Sequence, residues 1–322
     1  MAGPSPAWRK WAIRAGGSAL ALGLIFWILP KDAIFQGLSR LSWPVFMSVL
    51  AAFLGCHVAA ALKWWVLMDR AIPAATALRA HFAGLAANLC LPGAAGGDAV
   101  RAGLAHAALR DGPRVAAAAL GDRMIDLVGL ACLMLSGLVL VNGQGASFGL
   151  AVAVAGLVFA AAVIGLFVFP KIARRLWSRF PGLPAKGLAF RLADAFSDLS
   201  RRPGRLLLML AFSAAIQSVL IMLSVKLAVL VGVHVPIAAW FFAWPLAKII
   251  ATLPISLGGL GVRESSLAAL LVPFGAAAAD VVASGLAWQA ILYVSGAIGA
   301  LILAVSGGGF WARPVKITEI SE

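Results

Sequence analysis

Two ten-residue stretches carry the same pattern of residue types. Pro92-Gly93-Ala94-Ala95-Gly96-Gly97-Asp98-Ala99-Val100-Arg101 and Pro254-Ile255-Ser256-Leu257-Gly258-Gly259-Leu260-Gly261-Val262-Arg263 both read PxxxGGxxVR, 162 positions apart in a chain of 322. Gly and Val matches come cheaply in this composition, whereas Pro and Arg matches at fixed spacing do not. The paired glycines permit a tight turn and close approach of a ligand or a partner backbone. A helix starting near Asp98 or Leu260 presents unpaired N–H groups, and its dipole favours an anion there. An Arg in that first turn opposes the dipole. It is explained by a negative group bound beside it, and the planar guanidinium fork suits phosphate. Arg101, Arg263, Asp98, Glu264, Gly96, Gly97, Gly258 and Gly259 are therefore the candidate substrate-binding residues. In the alternative, Asp98 and Glu264 neutralise the two arginines as structural pairs.

A second set of charges stands in an apolar run. Asp122 and Asp126 share a helical face at i, i+4, with Arg123 beside them. A charge at mid-helix costs about 2.5–3.5 kcal/mol on insertion scales, so three together require a reason. They could line a polar path, take up a coupling proton, counter Arg101 or fix a helical hairpin. Lys226, near mid-span, joins them as a candidate seam charge, and Lys248 is another lone cation. His57 and His81 read as helix-packing residues. Cys56, Cys90 and Cys132 lack CxxC spacing, which argues against a disulfide framework and a metal site. No nucleophile elbow, Walker loop or dinucleotide fingerprint occurs in a suitable context, and no cofactor is expected.

The elements that must hold these residues are membrane helices. The chain is 62% hydrophobic and 12% charged, with a mean hydropathy of +0.99, far from the balance of soluble domains. Apolar stretches long enough to cross a bilayer occur at 15–30, 44–68, 114–141, 147–170, 205–232 and 278–305. The first follows a basic start and lacks a small-residue cleavage site, so it reads as a retained span. Residues 77–110 and 236–273 each read as two short helices around a Pro-Gly break, that is, as re-entrant hairpins or broken helices.

The net charge of +14 does not indicate nucleic acid here, because cytoplasmic loops of membrane proteins collect Lys and Arg. With both termini cytoplasmic, the inside receives 21 of the 26 basic residues. The 171–205 loop is the richest and reads as a basic amphipathic segment facing anionic lipid, or as an ordinary topogenic loop.

The order span, span, hairpin, span then occurs twice. Three crossings per unit invert the second unit relative to the first. The expected fold is all-α and polytopic, with six full spans and two hairpins in two inverted repeats. Residues 1–142 form the first repeat, 143–305 the second, and 306–322 a cytoplasmic tail. Discontinuous helices meeting at a repeat interface are a plan of secondary transporters.

Gly96-Gly97-Asp98-Ala99-Val100-Arg101, followed by Gly121-Asp122-Arg123-Met124-Ile125-Asp126-Leu127, resembles a GGDxxR…DRxxD signature. Leu253 to Glu264 resembles the PxSxGGxGxRE signature of the same family. That family is the lysylphosphatidylglycerol synthase transmembrane, or flippase-like, domain family, and the resemblance covers essentially the whole chain. In the multiple peptide resistance factor proteins this domain is the lipid-flipping half, fused to a soluble aminoacyltransferase. Only 16 residues follow Ser306, so the resemblance implies a flippase-like module and no lysyl-lipid synthesis by this chain.

The expected function is movement of an anionic or amphiphilic lipid between leaflets of the inner membrane, with Arg101 and Arg263 flanking the headgroup from opposite directions. The partners are then membrane lipids, not nucleic acid. A membrane-embedded lipid-phosphate transferase using Asp122 or Glu264 as base is the enzymatic alternative. A scaffold for a separate lipid-modifying enzyme is the third.

Overall fold

The computed structural model describes residues 27, 31–90, 94–141, 146–180, 186–252 and 260–306, and every regular element among them is helical. The helices are α1 (Lys31–Ser39), α2 (Trp43–Leu67), α3 (Ala74–Cys90), α4 (Ala94–Leu109), α5 (Gly112–Leu140), α6 (Ala146–Val163), α7 (Phe169–Arg179), α8 (Lys186–Ser200), α9 (Pro203–Val231), α10 (Ile237–Ala251), α11 (Val262–Leu271) and α12 (Ala278–Val305).

Among the described residues, four helices are long and apolar enough to cross a membrane: α2, α5, α9 and α12. Their boundaries follow from local chemistry. Asp111 caps α5 by accepting from the Arg114 N–H at 3.2 Å, with Pro113 in the first turn where no N–H is needed. Gly232 closes α9 in the left-handed region at φ 110°. Exposed Leu207, Leu208, Val139, Leu140 and Leu301 give these helices an apolar exterior.

Two of the six expected spans do not appear as such. The stretch 15–30 lies outside the described residues, apart from Trp27. The stretch 147–170 is divided: α6 runs to Val163 and continues through a π-helical turn, Ile164–Val168, into α7. Met124 of α5 packs against Gly165 in that turn, where a side chain would collide with it.

Both expected hairpins appear as pairs of short helices, α3/α4 and α10/α11. At 1.5 Å per residue, the 17 and 16 residues of α3 and α4 span about 25 Å, short of a ~30 Å hydrocarbon core. The breaks at 91–93 and 253–259, including Gly258 and Gly259, lie outside the described residues. One expectation is corrected. The helix after the first break begins at Ala94 rather than near Asp98, so Gly96 and Gly97 are helical. Gly97 serves close packing instead. Its N–H donates to Asn88 Oδ1 at 3.0 Å, and a Cβ there would strike Asn88 and the Gly84 carbonyl.

The hairpins exchange partners across the molecule. The first arm of the first hairpin, α3, packs as extensively on α12 as on its own partner α4, and the first arm of the second, α10, packs mainly on α5. Glycines permit both contacts. A Cβ on Gly137 would lie 2.6 Å from the Phe241 carbonyl carbon and 2.7 Å from Ala238 O, and one on Gly299 would strike Phe82 O. Around them the core is aromatic and aliphatic, with Phe53, Trp240, Phe242, Trp244, Trp288 and Ile291 buried together.

The basic 171–205 stretch is not an open loop. Within it, α7 and α8 pair, with Arg174 bonded to Asp194 at 2.7 Å and Phe169 edge-on to Phe196 at 6.0 Å, and α8 lies against α5.

Candidate functional site

A charged cavity of about 140 Å³ lies among α2, α3, α4, α5, α9 and α10. Its lining includes Lys63, His57 and His81, Asn88, Asp98 and Arg101, Asp122, Arg123 and Asp126, Gln217 and Lys248. Asp122 and Asp126 sit about 15–20 Å along α5, well inside its length.

Burying charge requires partners, and here the cavity wall supplies most of them. Lys63 is 2% exposed, and its ammonium meets Asp122 Oδ1 at 3.1 Å and Asp126 Oδ1 more closely still. The Ser213 hydroxyl donates to the same Asp126 oxygen at 2.5 Å. Arg101, 5% exposed, places Nη2 3.1 Å from Asp122 Oδ2 and 3.5 Å from Asp98 Oδ1, with its guanidinium 4.6 Å from the Trp64 ring centre. Arg123, on the open side, donates to Asp98 Oδ2 at 2.5 Å. His57 Nδ1 and His81 Nε2 share a hydrogen bond of 2.9 Å. Among the described residues, buried Trp64 Nε1, His81 Nδ1, Arg101 Nε and Nη2, and Asp122 Oδ1 have no hydrogen-bond partner, although Arg101 Nη2 and Asp122 Oδ1 take part in ion pairs.

The second motif is built differently. Arg263 is buried and donates to Glu264 Oε1 at 2.5 Å and to Gln289 Oε1 at 3.0 Å. Glu264 is 0% exposed, and its other oxygen accepts from the Gly261 N–H at 2.7 Å, capping α11. An anion at this helix start would compete with the chain's own carboxylate. Gly285 leaves the room for Glu264, because a Cβ there would lie 2.7 Å from Glu264 Cγ.

The structure thus brings together Asp98, Arg101, Asp122, Arg123, Asp126 and Gly97 from the sequence candidates. It does not bring Arg263 or Glu264 to the lining of that cavity, nor Lys226. Lys226 is exposed and donates to Ser48 Oγ at 3.1 Å, because its position on α9 turns it away from the seam. Arg101 is also not in the first turn of its helix, since α4 starts seven residues earlier.

Sequence reasoning missed Lys63, which lies near the end of the expected span 44–68. The available signal was its place before Trp64-Trp65-Val66-Leu67 inside a continuous apolar run. It also passed over Ser213 and Gln217, neutral polar residues on an apolar helix. Among the described residues, no group of three or more His, Cys, Asp or Glu is arranged to hold a metal ion.

Charged groups gathered inside an apolar helical bundle are what a membrane protein handling a polar group requires. The family model described as the lysylphosphatidylglycerol synthase TM region matches residues 14–299. The chain belongs to that family. No curated protein and no solved structure matches it. Membership in the lysylphosphatidylglycerol synthase TM region family, with four apolar helices of spanning length among the described residues, makes this a multi-pass membrane protein with a lipid-related role.

Proposed function

We propose that the protein moves a lipid with an anionic headgroup between leaflets of the inner membrane, with both termini cytoplasmic. The charged cavity between helices of both halves carries this reading. A headgroup leaving water needs charged groups to replace its hydration, and Lys63, Arg101, Asp122 and Asp126 are held at that depth by one another. The exchange of hairpin partners supports an inverted repeat with the cavity at its interface. On the same stretch of α5, Gly121, Met124 and Val128 line an apolar crevice with Leu210, between α5, α6 and α9. Acyl chains would stay in such a surface while the headgroup crosses. The arginines of α7 and α8 favour anionic lipid at the cytoplasmic face.

The test is leaflet exchange of headgroup-labelled phosphatidylglycerol in proteoliposomes, read by dithionite quenching against protein-free vesicles. Exchange above background that falls in Arg101→Ala is expected. No exchange with any of a panel of anionic lipids would sink the reading. Conversion of the labelled lipid to a new species would point instead to transferase chemistry.

A further inference from the structure

Lys63, Arg101 and Arg123 each meet a carboxylate in the cavity, and Lys248 does not. Its ammonium donates to the amide oxygen of Gln217 at 2.8 Å and stands 4.8 Å from the Trp244 ring centre. Among the described residues no Asp or Glu lies within 4.0 Å of it. An ammonium has three N–H donors, so Gln217 leaves two for whatever fills the space.

The formal charge points the same way. Lys63, Arg101, Arg123 and Lys248 face Asp98, Asp122 and Asp126, which leaves one positive charge unmatched, the histidines not counted. The space is also small: about 140 Å³, against at least ~300 Å³ for pockets that take drug-sized ligands.

We infer that the cavity selects a headgroup with a single uncompensated negative charge and a small uncharged substituent, namely a phosphodiester of a small polyol, with a phosphate oxygen on Lys248 Nζ. This rests on the cavity being the headgroup site proposed above. One phosphodiester charge balances the excess. A zwitterionic headgroup adds an ammonium whose only carboxylates are already taken by Lys63, Arg101 and Arg123. A phosphomonoester brings up to two charges and overshoots. A lysyl ester on the polyol adds two ammonium groups and exceeds the space.

The test uses the full chain in detergent and the dioctanoyl forms of phosphatidylglycerol, phosphatidylethanolamine, phosphatidic acid and lysylphosphatidylglycerol. Binding is read as the concentration that half-saturates the rise in unfolding temperature. Phosphatidylglycerol is expected to bind roughly tenfold tighter than the other three, and Lys248→Met to weaken it roughly tenfold, with Lys248→Arg retaining it. Equal binding of all four lipids overturns the inference, as does undiminished phosphatidylglycerol binding by folded Lys248→Met. The lipid series on the wild-type protein decides the question even where that variant fails to fold. Leaflet exchange of the same headgroups separates the two readings. Selective binding without exchange of any lipid leaves the inference standing and removes translocation, whereas exchange blind to headgroup does the reverse.

Discussion

Gly137 and Gly299 stand 162 positions apart, the offset that also separates Pro92 from Pro254, and each lets a long helix of one half touch the backbone of a hairpin arm of the other. Neither site has room for a methyl group, because the obstructing atoms are backbone. Gly137→Ala and Gly299→Ala are expected to cost about 1–3 kcal/mol each through forced separation of the helices. Gly156→Ala, where nothing lies within 4 Å, serves as the control. Thermal unfolding of the three variants in detergent checks this, and indifference of both contact sites would show that the interface yields.

Lys63 holds two carboxylates that repel one another once it is gone. Lys63→Met is expected to destabilise the protein by about 3–5 kcal/mol, the cost of stranding a buried partner. Adding Asp122→Asn and Asp126→Asn should recover much of that loss. Unfolding temperatures of the single and triple variants test the pairing, and no recovery in the triple variant would locate the damage in packing rather than charge.

Arg101 and Arg263 occupy matching places in the two motifs and should fail differently. Arg101→Gln changes a residue that lines the cavity, so leaflet exchange per folded molecule is expected to fall with a smaller loss of stability. Arg263→Gln strands Glu264 in a sealed site, so the expected loss is in folded yield and unfolding temperature. Equal stability of the two variants would contradict this division.

Lys226 faces outward and bonds only to Ser48 Oγ among the described residues. Lys226→Gln is expected to leave leaflet exchange within about twofold of wild type and stability within about 0.5 kcal/mol, as for surface substitutions generally. A collapse of exchange would bring α9's outer face into the path.

Much of this arrangement is legible in the amino-acid sequence itself. The i, i+4 spacing put Asp122 and Asp126 on one face, and both meet Lys63. The Pro-Gly breaks marked the joints between short helices. What could not be read was which residues face each other across helices distant in sequence. Lys63 looked topogenic because it lies near a span's end, and only the approach of α5 shows it pointing inward. Lys226 looked central because depth along a helix can be counted, whereas its rotation about the axis cannot. Gly96 and Gly97 resembled turn residues, since glycine's conformational freedom and its small size leave the same mark in a sequence. The unlike treatment of Arg101 and Arg263 came from their surroundings: an acid three residues earlier on the helix leaves a site open, whereas an acid next door seals one.

The Lys63–Asp122–Asp126 cluster also bears on how the chain is made. Alone in a bilayer, α2 carries an unmatched ammonium, and α5 carries two carboxylates with only one neighbouring guanidinium. At mid-helix, each of those carboxylates adds about 2.5–3.5 kcal/mol to the cost of handing α5 from the insertion machinery to lipid. Side by side, the charges of the two helices neutralise one another. The second helix therefore gains from waiting beside the translocon until Asp126 has emerged, so that α2 through α5 enter the membrane as one assembled unit rather than span by span.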